Sequence, residues 1–251
     1  AIIAILISVL LPSLAAALDK GDEPSLAALT ADLAALSASR RVYDQLRWID
    51  EGGMERVRVD YVQNQPFIVP GERLQNKAQR YYFTGTMHLA PGEIFVSPFD
   101  LNVEQDRVET PIKPTLRLGM PVQDAAGQAR GIVIANYFGR YLLDRFSEAT
   151  EAGDSVDRVN LLNRDGYWLK APQSADEWGF MFGRKEHFGT RYPDAWTRIA
   201  GGERGQFEDA HGLWSFRTVR PLGAGMASAT GSPLPASGAS APLGGDDYVW
   251  K

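Results

Sequence analysis

The 251-residue chain contains no cysteine, which excludes disulfides, thiolate metal sites and thiol catalysis. Its only histidines, His88, His187 and His211, are too far apart for metal-ligand spacing, so no metal and no cofactor are expected. A positive excess is also missing. The 26 Lys and Arg face 31 Asp and Glu, giving a formal charge of −5 with the two signs interspersed. That balance argues against nucleic acid as a partner and against a basic membrane-binding patch. No Gly-x-Ser-x-Gly, phosphate loop or dinucleotide fingerprint occurs, so familiar routes to catalysis are absent. Long apolar runs are scarce. Ala1 to Leu18 is the exception, apolar apart from Ser8, Pro12 and Ser13. A membrane span needs roughly 20 such residues, so the run reads either as the outer end of a spanning helix or as a buried amphipathic helix.

What is present has the length and composition of a soluble globular protein, one large domain or two small ones. Residue 1 is Ala, and Lys251 follows a strand-like Asp-Tyr-Val-Trp, so the sequence is read as part of a longer protein. Asp22-Glu-Pro-Ser25 has the residues of a helix start, and Leu26, Leu29, Leu33 and Leu36 follow at helical spacing. A helix from Pro24 to Tyr43 is predicted. Leu46 to Tyr61 then alternates apolar and polar residues around Glu-Gly-Gly, a hairpin signal. Glu72 to Tyr82 reads as helix and Ile94 to Val96 as strand. Leu116 to Val122 and Gly131 to Tyr137 read as a second hairpin, and Tyr141 to Glu148 as a helix leading onward.

Arg158 to Lys170 repeats the pattern of strand, Gly turn and strand. Aromatic residues Trp178, Phe180, Phe182 and Trp196 follow, read as core, then strand-like Gly205 to Glu208, Leu213 to Val219 and Asp247 to Lys251. The simplest architecture is α+β, two similar modules sharing one long N-terminal helix. Residues 1–42 form the helical segment, 43–150 the first module and 151–251 the second. Gly223 to Gly245 is mostly Gly, Ala, Ser and Pro, and is expected to be a mobile loop within the second module.

The chain is organised around Leu74 to Tyr137, above all Ile94-Phe-Val-Ser-Pro-Phe-Asp-Leu-Asn-Val-Glu104. Polar groups of both signs at strand ends suit a small pocket for a polar ligand. Arg80 and Arg117 can fork onto a ligand carboxylate, or pair with Asp100 or Glu104. Tyr82 can wall the pocket or pack in the core. Ser97, Asp100 and Asn102 follow a strand end, where they either line the pocket or make turns. Asn136 ends the second apolar run. Glu104 and Glu109 admit a rival reading, the acid and base of a secreted hydrolase.

Several strings resemble double-Cache sensor domains, the tandem PAS-like extracytoplasmic domains of bacterial sensor histidine kinases and diguanylate cyclases. They are Tyr43-Asp-Gln-Leu-Arg-Trp-Ile-Asp-Glu-Gly-Gly-Met-Glu-Arg-Val-Arg58, Leu74-Gln-Asn-Lys77, Arg80-Tyr-Tyr-Phe83 and Ser97 to Glu104. Glu109-Thr-Pro-Ile-Lys-Pro114, Gly131 to Tyr137, Asp165-Gly-Tyr-Trp-Leu169 and Glu177-Trp-Gly-Phe180 complete the set. The resemblance implies a periplasmic, non-enzymatic ligand-binding domain, anchored by flanking transmembrane helices and dimeric through its N-terminal helix. Ligand would bind in the membrane-distal module, 43–150, and 151–251 would be membrane-proximal. The full-length protein would be a two-component histidine kinase, or else a diguanylate cyclase or chemoreceptor. Amino-acid-binding members resemble Arg-x-Trp-Tyr with a later Tyr-x-Asp and a final Asp. Here Arg80 is kept, the Trp-Tyr pair is Tyr82-Phe83, Phe99-Asp100 partly keeps the second element, and Asn136 replaces the last acid. A ligand ammonium would lose a counter-charge. A small polar or organic-acid ligand is therefore expected.

Overall fold

The computed structural model describes residues 13–18, 22–104, 107–124, 126–151, 159–231 and 240–251. Helix α1, Glu23–Arg40, starts where Asp22 accepts a hydrogen bond from the Ser25 amide at 3.0 Å, with Pro24 in the first turn. It stops short of Tyr43 because Arg41 turns left-handed, with φ 56°. Leu29, Leu33 and Leu36 are buried, while Ala27, Ala31, Ala35 and Ala38 face solvent. The part of Ala1 to Leu18 up to residue 12 lies outside the described residues. Among those described, no helix is long and apolar enough to cross a membrane.

The main sheet is built first from β1 (Tyr43–Ile49), β2 (Glu55–Val62), β3 (Gln65–Ile68), β4 (Ile94–Val96) and β5 (Asp100–Leu101). A small hairpin of β6 (Val103–Glu104) and β7 (Arg107–Val108) stands beside it. The long strands β8 (Pro114–Gln123) and β9 (Ala129–Phe138) then form the expected second hairpin. With two late strands, β14 (Met226–Ala229) and β15 (Pro242–Leu243), the sheet order is β15-β14-β4-β8-β9-β1-β2-β3, with β5 also on β8. One face carries Leu46, Trp48, Val57, Val59 and Ala135 against α1. The other carries Ile49, Ile132 and Ile134 against helix α2, Tyr81–Met87, whose Tyr81, Tyr82 and Phe83 are buried there. Contact is close: a Cβ at Gly119 of β8 would lie 2.4 Å from Thr86 Oγ1 of α2.

Helix was expected from Glu72, but only a 3-10 turn at Gly71–Arg73 precedes α2. Tertiary bonds override the propensity. The Gln75 amide donates to Glu55 Oε2, the Lys77 amide donates to the Gly53 carbonyl, and the Asn76 side chain accepts from the Ala78 amide. The first two bonds tie 75–77 to the β1–β2 turn and the start of β2, the third folds 76–78 on itself, and together they delay helix formation until Tyr81.

Helix α3, Arg140–Glu151, leads into the second half. That half holds β10 (Leu161–Leu162), β11 (Trp168–Lys170), helix α4 (Phe188–Arg191), helix α5 (Pro193–Ala200), β12 (Arg204–Asp209) and β13 (Gly212–Arg217). A shared core runs from Val96, Phe99, Leu101 and Leu116 of the first half to Leu161, Leu169 and Trp178 of the second. Trp178 is buried as expected, but Phe182 is 51% exposed, its ring beneath Arg184.

The expected loop from Gly223 to Gly245 contains two strands instead. β14, Met226–Ala229, runs parallel to β4 of the first half, pairing Met226 with Ile94, and β15, Pro242–Leu243, pairs with β14. Ser228 and Ala229 are buried because small side chains fit this edge, and Ser228 Oγ donates to the Val96 carbonyl at 2.6 Å. Residues 232–239 of the expected loop lie outside the described residues.

Candidate functional site

Strand pairing sets out the site before any side chain is considered. Arg117 pairs with Asn136, Asn136 with Gln45, and Gln45 with Asp60, so β8, β9, β1 and β2 contribute one transverse row. Arg47 and Arg58 form the next row on the same face. Apolar neighbours Leu46 and Ala135 point the other way, toward α1. The face above this polar row is closed by Tyr81 and Tyr82 of α2.

Two buried guanidinium groups anchor the cluster. Arg117 donates to Asp100 Oδ1 at 2.6 Å, to Asn102 Oδ1 at 3.2 Å and to the Tyr81 hydroxyl at 3.4 Å. Its backbone amide donates to Ser97 Oγ at 2.8 Å. The Tyr81 hydroxyl in turn donates to Asp100 Oδ2 at 3.1 Å. Arg47 donates to Asn136 Oδ1 at 2.8 Å, and through Nη1 to Glu55 Oε1 and the Tyr82 hydroxyl, both at 3.3 Å. Its Nε–H is buried with no acceptor among the described residues. Asn136 donates to Gln45, and Gln45 to Glu104, which extends the network to the surface.

Tyr82 lies between the two halves of this network. The guanidinium carbons of Arg47, Arg80 and Arg117 lie 5.4, 5.5 and 5.6 Å from its ring centroid. Burial alone would push the Tyr82 hydroxyl up, yet Arg47, Lys77, Arg80 and Arg117 together hold it below its ordinary value. Lys77 is shifted down as well, by burial and then by the nearby Arg47. Tyr81 shows the reverse: burial and the Asp100 carboxylate push it up. Burial works against the charge of Arg117, but Asp100 outweighs it and holds the guanidinium firmly protonated.

Of the residues expected from the sequence, Ser97, Asp100, Asn102 and Arg117 meet in one cluster, and Tyr82 and Asn136 meet through Arg47. Arg80 is half-buried and sits over Tyr82 rather than on either carboxylate. The pairing of Arg117 with Asp100 is the structural alternative weighed above, and it is realised here. Sequence reasoning missed Arg47, Tyr81, Gln45 and Glu55. For Gln45 and Arg47 the signal was the alternation of Tyr43 to Ile49, where they share the face opposite to Leu46 and Trp48; Tyr81 and Glu55 carried none.

Glu104 and Glu109 do not form a catalytic pair. Glu104 accepts from Gln45 and faces Arg58 at 3.6 Å; Glu109 accepts from Asn102 at 3.0 Å and lies 2.7 Å from Lys113. Each lies beside a different cation, Arg58 for Glu104 and Lys113 for Glu109, and each cation is shared with a further carboxylate, Asp60 and Asp44 respectively. Beside Glu104 opens a hollow of about 510 Å³, lined by Arg58, Asp60, Glu104 and the segment Glu72 to Gln75. Its inner wall, Arg58 and Glu104, connects directly to Gln45 and Glu55 of the buried cluster.

An antiparallel-dominated sheet with a long N-terminal helix, and a polar cluster roofed by a short helix, define a Cache-type sensor domain. Residues 13–228 match the family model of the bacterial histidine kinase sensor domain, and the chain belongs to that family. It is a non-catalytic sensor domain. No curated protein matches it. Among solved structures it is similar to a domain of a sensory box/GGDEF family protein from Vibrio parahaemolyticus, with 23% identity over 86% of this chain and 82% of that one, TM-score 0.71. It is also similar to the extracellular domain of a histidine kinase, with 23% identity over 83% and 76% of the two chains, TM-score 0.68. The ligand-binding domain of the Pseudomonas aeruginosa amino acid chemoreceptor PctC, in complex with GABA, aligns at 16% identity over 98% and 86%, TM-score 0.59.

Proposed function

We propose that this sensor domain binds a small organic acid at the polar cluster beneath α2, with Arg80, Tyr82, Ser97, Asp100, Asn102, Arg117 and Asn136 joined by Arg47. The observation that carries the reading is the convergence of Arg47, Lys77, Arg80 and Arg117 on Tyr82. A carboxylate entering there meets several cations, together with the unpartnered Nε–H of Arg47. PctC accommodates GABA, which carries a carboxylate. The hollow beside Glu104 offers an approach, with displacement of the Arg58–Glu104 pair opening the way inward.

In this reading residues 43–150 form the ligand-binding, membrane-distal part and 151–251 the membrane-proximal part of a periplasmic domain. The chain is anchored by flanking transmembrane helices and feeds a histidine kinase, with a diguanylate cyclase or chemoreceptor output as the alternative. Two copies pair along α1, whose solvent face of Ala27, Ala31, Ala35 and Ala38 allows close approach of a second helix. Signalling requires that ligand favour one of two packings, because equal affinity for both shifts nothing.

The test is a thermal-shift and calorimetric screen of small mono- and dicarboxylic acids, amines and polyols. Carboxylic acids raise Tm and the others do not, and Arg80→Ala weakens the effect without altering the fold. Acid binding that is unchanged in Arg80→Ala removes the assignment.

A further inference from the structure

The second half of the molecule holds a hollow of about 320 Å³ that the sensing reading does not use. It opens at the surface beside the exposed Gln173, His211 and Leu213, and its size suits a single-ring molecule. Its walls are Trp168 of β11, Trp214 of β13 and Tyr192 at the end of α4. Tyr192 and Trp214 stand at 60° with centroids 5.3 Å apart, forming an aromatic corner, and His211 lies edge-on to Tyr192 at 5.0 Å.

The polar groups around this corner are held in place. Trp168 Nε1 donates to Asn160 Oδ1 at 2.9 Å, and the guanidinium of Arg191 lies 4.6 Å above the Trp168 ring. Arg191 is fixed by two parallel bonds to Asp176, both 2.7 Å, and by further bonds to Glu186 at 2.7 and 2.9 Å. Two carboxylates thus balance the one guanidinium, so the hollow offers no surplus positive charge to an anion. Gln173 adds a neutral amide at the rim.

We propose that this hollow is a second ligand site, for a neutral ring polyol such as a monosaccharide. The apolar face of a sugar ring stacks on Tyr192 and Trp214, as aromatic surfaces favour. Its hydroxyls, each both donor and acceptor, reach the remaining lone pairs of Asp176 and the amide of Gln173. Arg191 is a positioning residue, keeping Asp176 ionised and aimed. The inference stands apart from the organic-acid site, since the two share no residue.

The experiment titrates D-glucose, D-galactose, D-ribose and myo-inositol into the whole chain, followed by tryptophan fluorescence and calorimetry. At least one is expected to bind saturably. Asp176→Asn should weaken it about tenfold or more, the loss of a charge-assisted hydrogen bond. The exposed Gln173→Ala should weaken it without changing the melting curve, and Arg80→Ala should leave it unchanged. Absence of saturable binding by all four at millimolar concentration overturns the proposal. So does binding that survives both Asp176→Asn and Gln173→Ala.

Discussion

Tyr81 and Tyr82 are adjacent on α2, with ring centroids 5.7 Å apart, yet their hydroxyls face opposite electrostatic environments. Tyr81 donates to Asp100, whereas Tyr82 accepts from Arg47 and is ringed by cations. The pair therefore splits in an alkaline titration. Absorbance at the phenolate band should show an early-ionising tyrosine that disappears in Tyr82→Phe. The linkage signs also oppose. The depressed Tyr82 adds stability above its ordinary value, and this is lost as pH falls through the folded value. The raised Tyr81 adds stability below its ordinary value, lost as pH rises through the folded one. An early phase that persists in Tyr82→Phe contradicts this environment.

Arg117 and Asp100 form a buried ion pair, with side chains 3% and 9% exposed. Arg117→Met leaves Asp100 buried without its counter-charge and should cost about 3–5 kcal/mol. The double variant Arg117→Met with Asp100→Leu should recover much of that loss, because neither charge is then left alone. Urea unfolding of the single and double variants measures both numbers. Equal loss in the single and double variants would show that packing, not charge, sets the cost.

The contact of Gly119 with Thr86 sets how closely α2 lies on β8. Gly119→Ala should destabilise by about 1–3 kcal/mol through overpacking. Adding Thr86→Ala removes the hydroxyl that the new methyl meets, so part of the stability returns. Thermal melts decide the matter, and the absence of any rescue would mean the strain lies elsewhere.

Mild acid should act on two carboxylates in opposite senses. Burial pushes the Asp44 carboxyl up against the opposing pull of Lys113, and its Oδ2 has no partner among the described residues. Its charged form therefore costs stability, which is regained as pH falls through the raised folded value toward 3.8. Burial also acts on Glu104, but Arg58 and Gln45 outweigh it and lower the carboxyl below 4.5. Glu104 thus adds stability above 4.5 that is lost as pH falls through its folded value. Stability measured against pH should lose its gain on acidification between the raised Asp44 value and 3.8 in Asp44→Asn, and lose its acid-side decline in Glu104→Gln. Unchanged slopes in both variants would refute the assignment.

The strands were legible where residue alternation reports a single buried face. The β1–β2 and β8–β9 hairpins and the start of α1 all followed from local pattern. Arg47 was hidden by the same logic: in an alternating strand a polar residue reads as solvent-facing, and only the packing of α2 over that face makes it interior. The start of α2 was misplaced because the bonds from Gln75 and Lys77 to the β1–β2 turn join residues about twenty positions apart. β14 escaped notice because Met-Ala-Ser-Ala carries little apolar surface. It is buried by what it lies beside, Ile94 and Phe95 more than a hundred residues earlier.

That parallel pairing of Met226 with Ile94 makes the modular description incomplete. A polypeptide cut after residue 150 would surrender the outermost rungs of its own ladder, leaving the β4 border raw and prone to self-association. Whatever pulls on the tail of the chain pulls on β4 and on Ser97 just after it, whose hydroxyl holds the Arg117 backbone and whose carbonyl accepts from Tyr248. If ligand binds as proposed, the route by which it is felt downstream need not pass through α1 alone, for the last segment is already stitched to the floor of the polar cluster.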